Sequence, residues 1–92
     1  MLTNNNKRDA TTRDAANPRA DNKFGHIIEM TPDGGDHAAE GFKWEILVQC
    51  GDPAIAAVGA TFNPLTSKDG WFGMPDNCAI DALGRLWIAT DG

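Results

Sequence analysis

Residues 75–92, PDNCAIDALGRLWIATDG, read as one complete β-hairpin with a polar entrance. Cys78 to Asp81 has the composition of a short strand, and Arg85 to Thr90 that of its return. Between them, Asp81-Ala82-Leu83-Gly84 puts Asp at the first turn position, where its side chain accepts from backbone N–H groups. Gly stands at the fourth, where a left-handed residue is wanted. Leu86, Trp87 and Ile88 supply a β-favouring apolar run. Pro75-Asp76-Asn77 then forms a rigid turn at the entrance, displaying a carboxylate beside a side-chain amide. A hard cation wants such a pair of oxygens.

The other convincing strands lie upstream. Phe24 to Thr31, FGHIIEMT, sets His26, Ile28 and Met30 on one face and Gly25, Ile27 and Glu29 on the other. Pro32-Asp33-Gly34-Gly35 is a strong turn signal. In Phe42 to Gln49, Phe42, Trp44, Ile46 and Val48 alternate with Lys43, Glu45, Leu47 and Gln49, which suits an antiparallel strand with one buried face. Together these strands predict a hairpin over residues 24–50. Trp44 and Trp87, each inside an alternating strand, are expected in packing between sheet faces. Residues 51–74 read as a loop. Within it, Ala54 to Ala60 is too short for a stable helix and is interrupted by Gly59, while Phe62, Trp71 and Phe72 supply aromatic anchors. Residues 1–23 are polar and poor in large apolar side chains, the composition of a solvated loop or disordered tail.

A chain of 92 residues is one small domain by length, or about two repeats of ~40–50 residues each. Ten Gly, five Pro and scattered short apolar runs favour β over α structure. The net charge of −5 argues against nucleic-acid binding, because no basic patch exists to displace counterions from phosphates. It leaves anionic substrates open, since bound cations reverse the local field. Cys50 and Cys78 are expected as buried free thiols, the usual state of Cys, and a disulfide between them stays open. No four-residue Cys or His pattern of the zinc kind is present. No apolar run of ~18 residues is available to span a membrane, and the first ~20 residues lack the apolar core of a signal peptide.

A D-x-x-G-x-L-W-[IV] hairpin recurs in many β-propellers. The longer string GWFGMPDNCAIDALGRLWIATDG, residues 70–92, resembles the closing part of the PhoX-type alkaline phosphatases. These are bacterial propeller enzymes that hydrolyse phosphate monoesters with iron and calcium. GHIIEMTPDGGDHAAEGFKWEILVQCGDP, residues 25–53, is the next most similar stretch. Leu2-Thr3-Asn4-Asn5 resembles the end of a strand, and Asn17-Pro18-Arg19 resembles the family's N-P-R element before the next one. The resemblance implies an all-β fold, with antiparallel strands forming about one to two blades of a larger β-propeller. Hairpins near 24–49 and 78–90 fit parts of two adjacent blades. The chain reads as truncated at both ends, because a propeller must close its ring to cover its edges.

The resemblance gives Asp76 a metal role: a carboxylate at the entrance to an inner propeller strand can point into the central channel. PDNCAIDALGRLWIA is also similar to the gluconolactonase and regucalcin propellers, in which an Asp at the matching place binds a divalent cation. The alternative is that Asp76 only caps its turn. Asn77 could offer an amide oxygen to the same ion or hydrogen-bond the turn backbone. Asp91, at the exit of the last strand, is either a second channel-facing oxygen or a cap. Asp81 is assigned to the turn. His26 reads as a satisfied strand histidine and His37 as a loop residue, although each could act as a general acid or ligand. Arg19 and Asn17 could contact phosphate, since guanidinium matches phosphate oxygens bidentately, or serve the surface. Cys78 is a soft ligand candidate whose place among strand residues favours core packing.

The family's site draws ligands from several blades, including an R-P-E-W element that is absent here. The resemblance therefore implies part of a metal-dependent phosphatase acting on phosphate monoesters, inactive on its own, with calcium and iron as cofactors. The family's export implies a periplasmic or secreted parent. A calcium-dependent lactonase-like propeller and a non-catalytic calcium-binding scaffold are the alternatives.

Overall fold

A computed structural model describes residues 1–3, 5 and 9–91. Asn4, expected near a strand end, and Gly92, expected to close the second hairpin, lie outside the described residues. The described strands are antiparallel and fall into two small sheets. In the first, β1 (Leu2–Thr3), β2 (His26–Pro32) and β3 (Phe42–Gln49) lie side by side in that order. In the second, β4 (Pro75–Ile80) pairs with β5 (Leu86–Thr90). Helical structure among the described residues is confined to two 3₁₀ turns, Asp33–Gly35 and Ala56–Val58.

Strand β2 starts at His26, two residues later than the apolar pattern predicts. Gly25 is left-handed, at φ 79°, and breaks the extended run after Phe24. The alternation in β3 is interrupted as well. Ile27 pairs with Val48 but Ile28 pairs with Ile46, so Leu47 is an inserted residue. This bulge shifts the pleat by one position. Trp44 and Ile46 share the face of Met30 and Ile28, whereas Val48 crosses to the face of Ile27, contrary to the unbroken alternation read from sequence.

The second hairpin is longer than its sequence reading at the entrance and shorter at the turn. Strand β4 begins at Pro75, so Asp76 and Asn77 belong to the strand rather than to a turn before it. It ends at Ile80, and Asp81 opens the turn that Gly84, at φ 77°, completes. Gly84 donates its backbone N–H to the Asp81 carbonyl at 3.0 Å.

The connecting segments are held by polar contacts. Asp9 Oδ1 accepts from the Thr11 and Thr12 amides at 2.8 and 3.0 Å, an Asx turn inside the polar segment. Gln49 and Thr61 exchange backbone hydrogen bonds of 3.1 and 2.9 Å, tying the long loop to the end of β3. Within the long loop, Phe62 and Phe72 meet edge to face, with centroids 5.5 Å apart.

Ile27, Ile28 and Cys50 are the buried apolar centre, joined by buried His26, Asn17 and Asn22. Trp44 and Trp87 are instead 42% and 60% exposed within this chain. The radius of gyration, 14.1 Å, exceeds the roughly 12 Å expected for a compact chain of this length.

Candidate functional site

Asp76 sits on a β-bulge. Pro75 pairs with Thr90 and Asn77 with Ala89, so two residues of β4 face one of β5 and Asp76 is the insertion. Bulges re-aim a side chain and locally end regular pairing. The Asp76 side chain is exposed, and its Oδ2 accepts from Asn77 Nδ2 at 3.3 Å. Asn77 thus contacts the neighbouring carboxylate through its amide nitrogen.

Asp91 follows the end of β5 and arrives at the same end of the hairpin. Its backbone N–H donates to the Met74 carbonyl at 2.9 Å, just before Pro75 and Asp76. Met74 adopts φ 55°, a left-handed conformation that is strained for a side-chain-bearing residue. Asp76, Asn77 and Asp91 are therefore gathered at one rim, with a strained residue on one side of Asp76 and its own bulge on the other. Among the described residues, no three His, Cys, Asp or Glu side chains converge as a metal cluster.

Asp81 lies at the opposite end of the hairpin and is occupied by the turn. Its Oδ1 accepts from the Leu83 and Arg85 amides at 2.8 and 3.0 Å. Its Oδ2 accepts from Arg85 Nε at 2.6 Å and Trp87 Nε1 at 2.9 Å. The Trp87 indole first, then the Arg85 contacts, hold the Asp81 carboxyl down to about 2. The Arg85 guanidinium also lies 5.7 Å from the centre of the Trp87 ring.

His26 is 2% exposed, with Nδ1 3.0 Å from Asn22 Nδ2. An Asn Nδ2 only donates, so Nδ1 is the acceptor and the neutral ring carries its proton on Nε2. Burial lowers the His26 pKa, and the charge of Arg19 lowers it further. This is a satisfied buried histidine, as its strand position suggested.

Arg19 is half-buried, and its guanidinium is taken up by acceptors within the chain. Nη1 donates to the Cys50 and Val58 carbonyls at 2.8 and 3.1 Å, and Nη2 to Asn22 Oδ1 and the Gly25 carbonyl at 3.0 and 2.6 Å. Its Nε is buried without a hydrogen-bond partner among the described residues. Asn17 is also buried, its backbone N–H donating to Asp14 Oδ1 at 2.8 Å. Burial pushes the Cys50 thiol up to about 11, which makes it inert. Cys78 is free but exposed, against the expectation of core packing. It lines a shallow apolar cleft of about 300 Å³ with Asn77, Ala79, Trp87, Ile88 and Ala89. His37 is exposed in the β2–β3 connection.

Sequence reading missed Asn22, whose carboxamide joins Arg19, Gly25 and His26. The signal was present: Asn22-Lys23-Phe24-Gly25 has the same polar-x-x-Gly grammar as Asp81 to Gly84. The bulge at Asp76 left no comparable mark.

Fold and site together define the class: an all-β chain of antiparallel hairpins in two small sheets, consistent with a segment of a β-propeller. The chain belongs to the alkaline phosphatase PhoX family, whose family model matches residues 1–92. It is similar to the solved structure of Pseudomonas fluorescens PhoX in complex with vanadate, a transition state analogue. The TM-score is 0.75 and the identity 28%, over 99% of this chain and 16% of that one. The chain thus spans about one sixth of the length of that protein. No curated protein matches it.

Proposed function

We propose that the chain is part of the β-propeller of a metal-dependent phosphatase hydrolysing phosphate monoesters, and that Asp76 supplies a carboxylate oxygen to its metal site. Family membership over residues 1–92 supports the phosphatase reading. Vanadate binding by the Pseudomonas protein supports a phosphoryl centre in the parent. Residues 24–50 and 75–92 would be hairpins of neighbouring blades, with 1–23 and 51–74 as their connections.

The observation that carries the assignment of Asp76 is its bulge, which turns a carboxylate out of the strand pairing at the rim shared with Asp91. Asp76 and Asn77 fit two oxygen donors of a hard cation. Calcium takes about six to eight oxygens, so the remainder would come from residues outside this chain. By family resemblance the ions are calcium and iron, which would neutralise the phosphate charge and activate the attacking oxygen. In this reading Asp76 holds the ion, Asn77 orients the Asp76 carboxylate, and Asp91 adds negative charge at the same rim. The 92-residue chain alone lacks the rest of the site and would be inactive. The parent would act in the periplasm or outside the cell. No helix among the described residues is long and apolar enough to cross a membrane.

The test is hydrolysis of p-nitrophenyl phosphate by the complete protein. Activity should be lost on chelation and return when calcium and iron are restored. Undiminished hydrolysis in chelator, or none in the metal-replete protein, contradicts the reading.

A further inference from the structure

We infer that Arg19 and Asn22 are positioning residues for the Asp76–Asp91 rim, acting through the Phe24–Gly25 peptide. The contacts form a continuous path. Asn22 Oδ1 accepts from the Gly25 amide at 2.9 Å and from Arg19 Nη2 at 3.0 Å. Arg19 Nη2 also holds the Gly25 carbonyl at 2.6 Å, and the Cys50 amide reaches that same carbonyl at 3.0 Å. The Gly25 N–H and the Phe24 C=O belong to one planar peptide unit, so fixing the first fixes the second. The Phe24 carbonyl accepts from the Met74 amide at 2.6 Å, and the Met74 carbonyl accepts from the Asp91 amide at 2.9 Å. One guanidinium and one carboxamide thus set the peptide on which Met74 hangs, next to the bulge that carries Asp76.

Two further observations support a positioning role over mere loop anchoring. Met74 is held at φ 55°, a conformation that persists only where its surroundings enforce it. The Phe24 ring is gripped between two glycines: a Cβ on Gly51 or on Gly73 would come within 3.1 Å of it. Arg19 itself is committed to carbonyls and Asn22, with Asn22 only 3% exposed. Strand β1 also lies against β4, so the path sets local geometry without being the sole link between the sheets.

The proposal rests on the metal reading of Asp76 only for its consequence; the path itself is independent of it. The experiment is amide hydrogen exchange on the complete protein, beside calorimetric titration with calcium, for Arg19→Met, Asn22→Ala and the milder Arg19→Lys. Exchange at Met74 and Asp91 should quicken by about tenfold or more in Arg19→Met and Asn22→Ala, and by less in Arg19→Lys. The Leu83 and Arg85 amides, bound to Asp81, serve as controls and should be unchanged. Calcium affinity should fall in the same order. Faster exchange at Met74 and Asp91 with calcium affinity unchanged, there and in Asp76→Asn, upholds the positioning path and refutes the metal reading. Parent-like protection of Met74 and Asp91 in a folded Arg19→Lys and Asn22→Ala overturns the proposal. If Arg19→Met fails to fold, those two milder variants decide it.

Discussion

Asp81 accepts from two backbone amides and two side chains, and its acidity reflects all of them. Its carboxyl titrates at about 2 in the fold against an ordinary 3.8, so the unfolded chain binds more protons between those values. The contribution is complete above the ordinary value and is lost as pH falls through about 2. Asp81→Asn should flatten this acid limb, read from the Leu83 and Arg85 amide resonances; an unchanged limb would mean that the network carries no stability. His26 acts in the same direction at higher pH. Its folded pKa lies below the ordinary 6.5, so stability is complete above that value and declines as pH falls below it. The unfolding midpoint should drop on mild acidification in the parent and hold steadier in His26→Gln. Asp81 was legible in the sequence because D-x-x-G followed by an apolar run is a turn with a mechanism. Asn22 uses the same grammar in a polar segment, where composition suggested a solvated loop, and so its partners were not.

Among elements, the strands were legible from alternation and their irregularities were not. Period-two patterning shows which residues pair with a sheet, but an inserted residue such as Leu47 or Asp76 leaves the local composition unchanged. The consequence differs between them. At Leu47 the bulge moves Val48 to the other face; at Asp76 it presents a carboxylate at the rim. The glycines offer a test of how the loops pack on the strands. Gly51 has φ 123°, and a Cβ there would lie 2.5 Å from Val58 Cγ1 and 3.1 Å from Phe24. Gly84 has φ 77° with nothing within 4 Å of the Cβ position. In the complete protein, Gly84→Ala should cost about 1 kcal/mol from backbone strain alone, and Gly51→Ala about 2 kcal/mol or more, measured by urea denaturation. Equal costs would contradict the packing of Phe24 against Gly51.

For the whole molecule, the β4–β5 sheet leaves Ile80, Leu86 and Trp87 exposed and buries Pro75, whereas the first sheet buries His26, Ile27 and Ile28. Family and fold were readable because long strings, not single motifs, carried the resemblance. Which carboxylates meet at a metal was not, because a propeller site is assembled from several blades and this chain supplies one rim of it in our reading. As an isolated 92-residue polypeptide it should unfold without a sharp cooperative transition, since Trp44 on one sheet and Ile80, Leu86 and Trp87 on the other are left uncovered. A steep two-state denaturation of a monomer would contradict the blade-segment assignment. The most direct test of the central claim is the metal content of the complete protein carrying Asp76→Asn, measured by elemental analysis beside Asp81→Asn. Asn keeps the size of the side chain and suits turns, but lacks the charge that a multivalent ion requires. Metal content and phosphomonoester hydrolysis should fall together in Asp76→Asn while its fold survives, and Asp81→Asn should keep its metal. Full metal occupancy and unchanged turnover in Asp76→Asn would contradict the account.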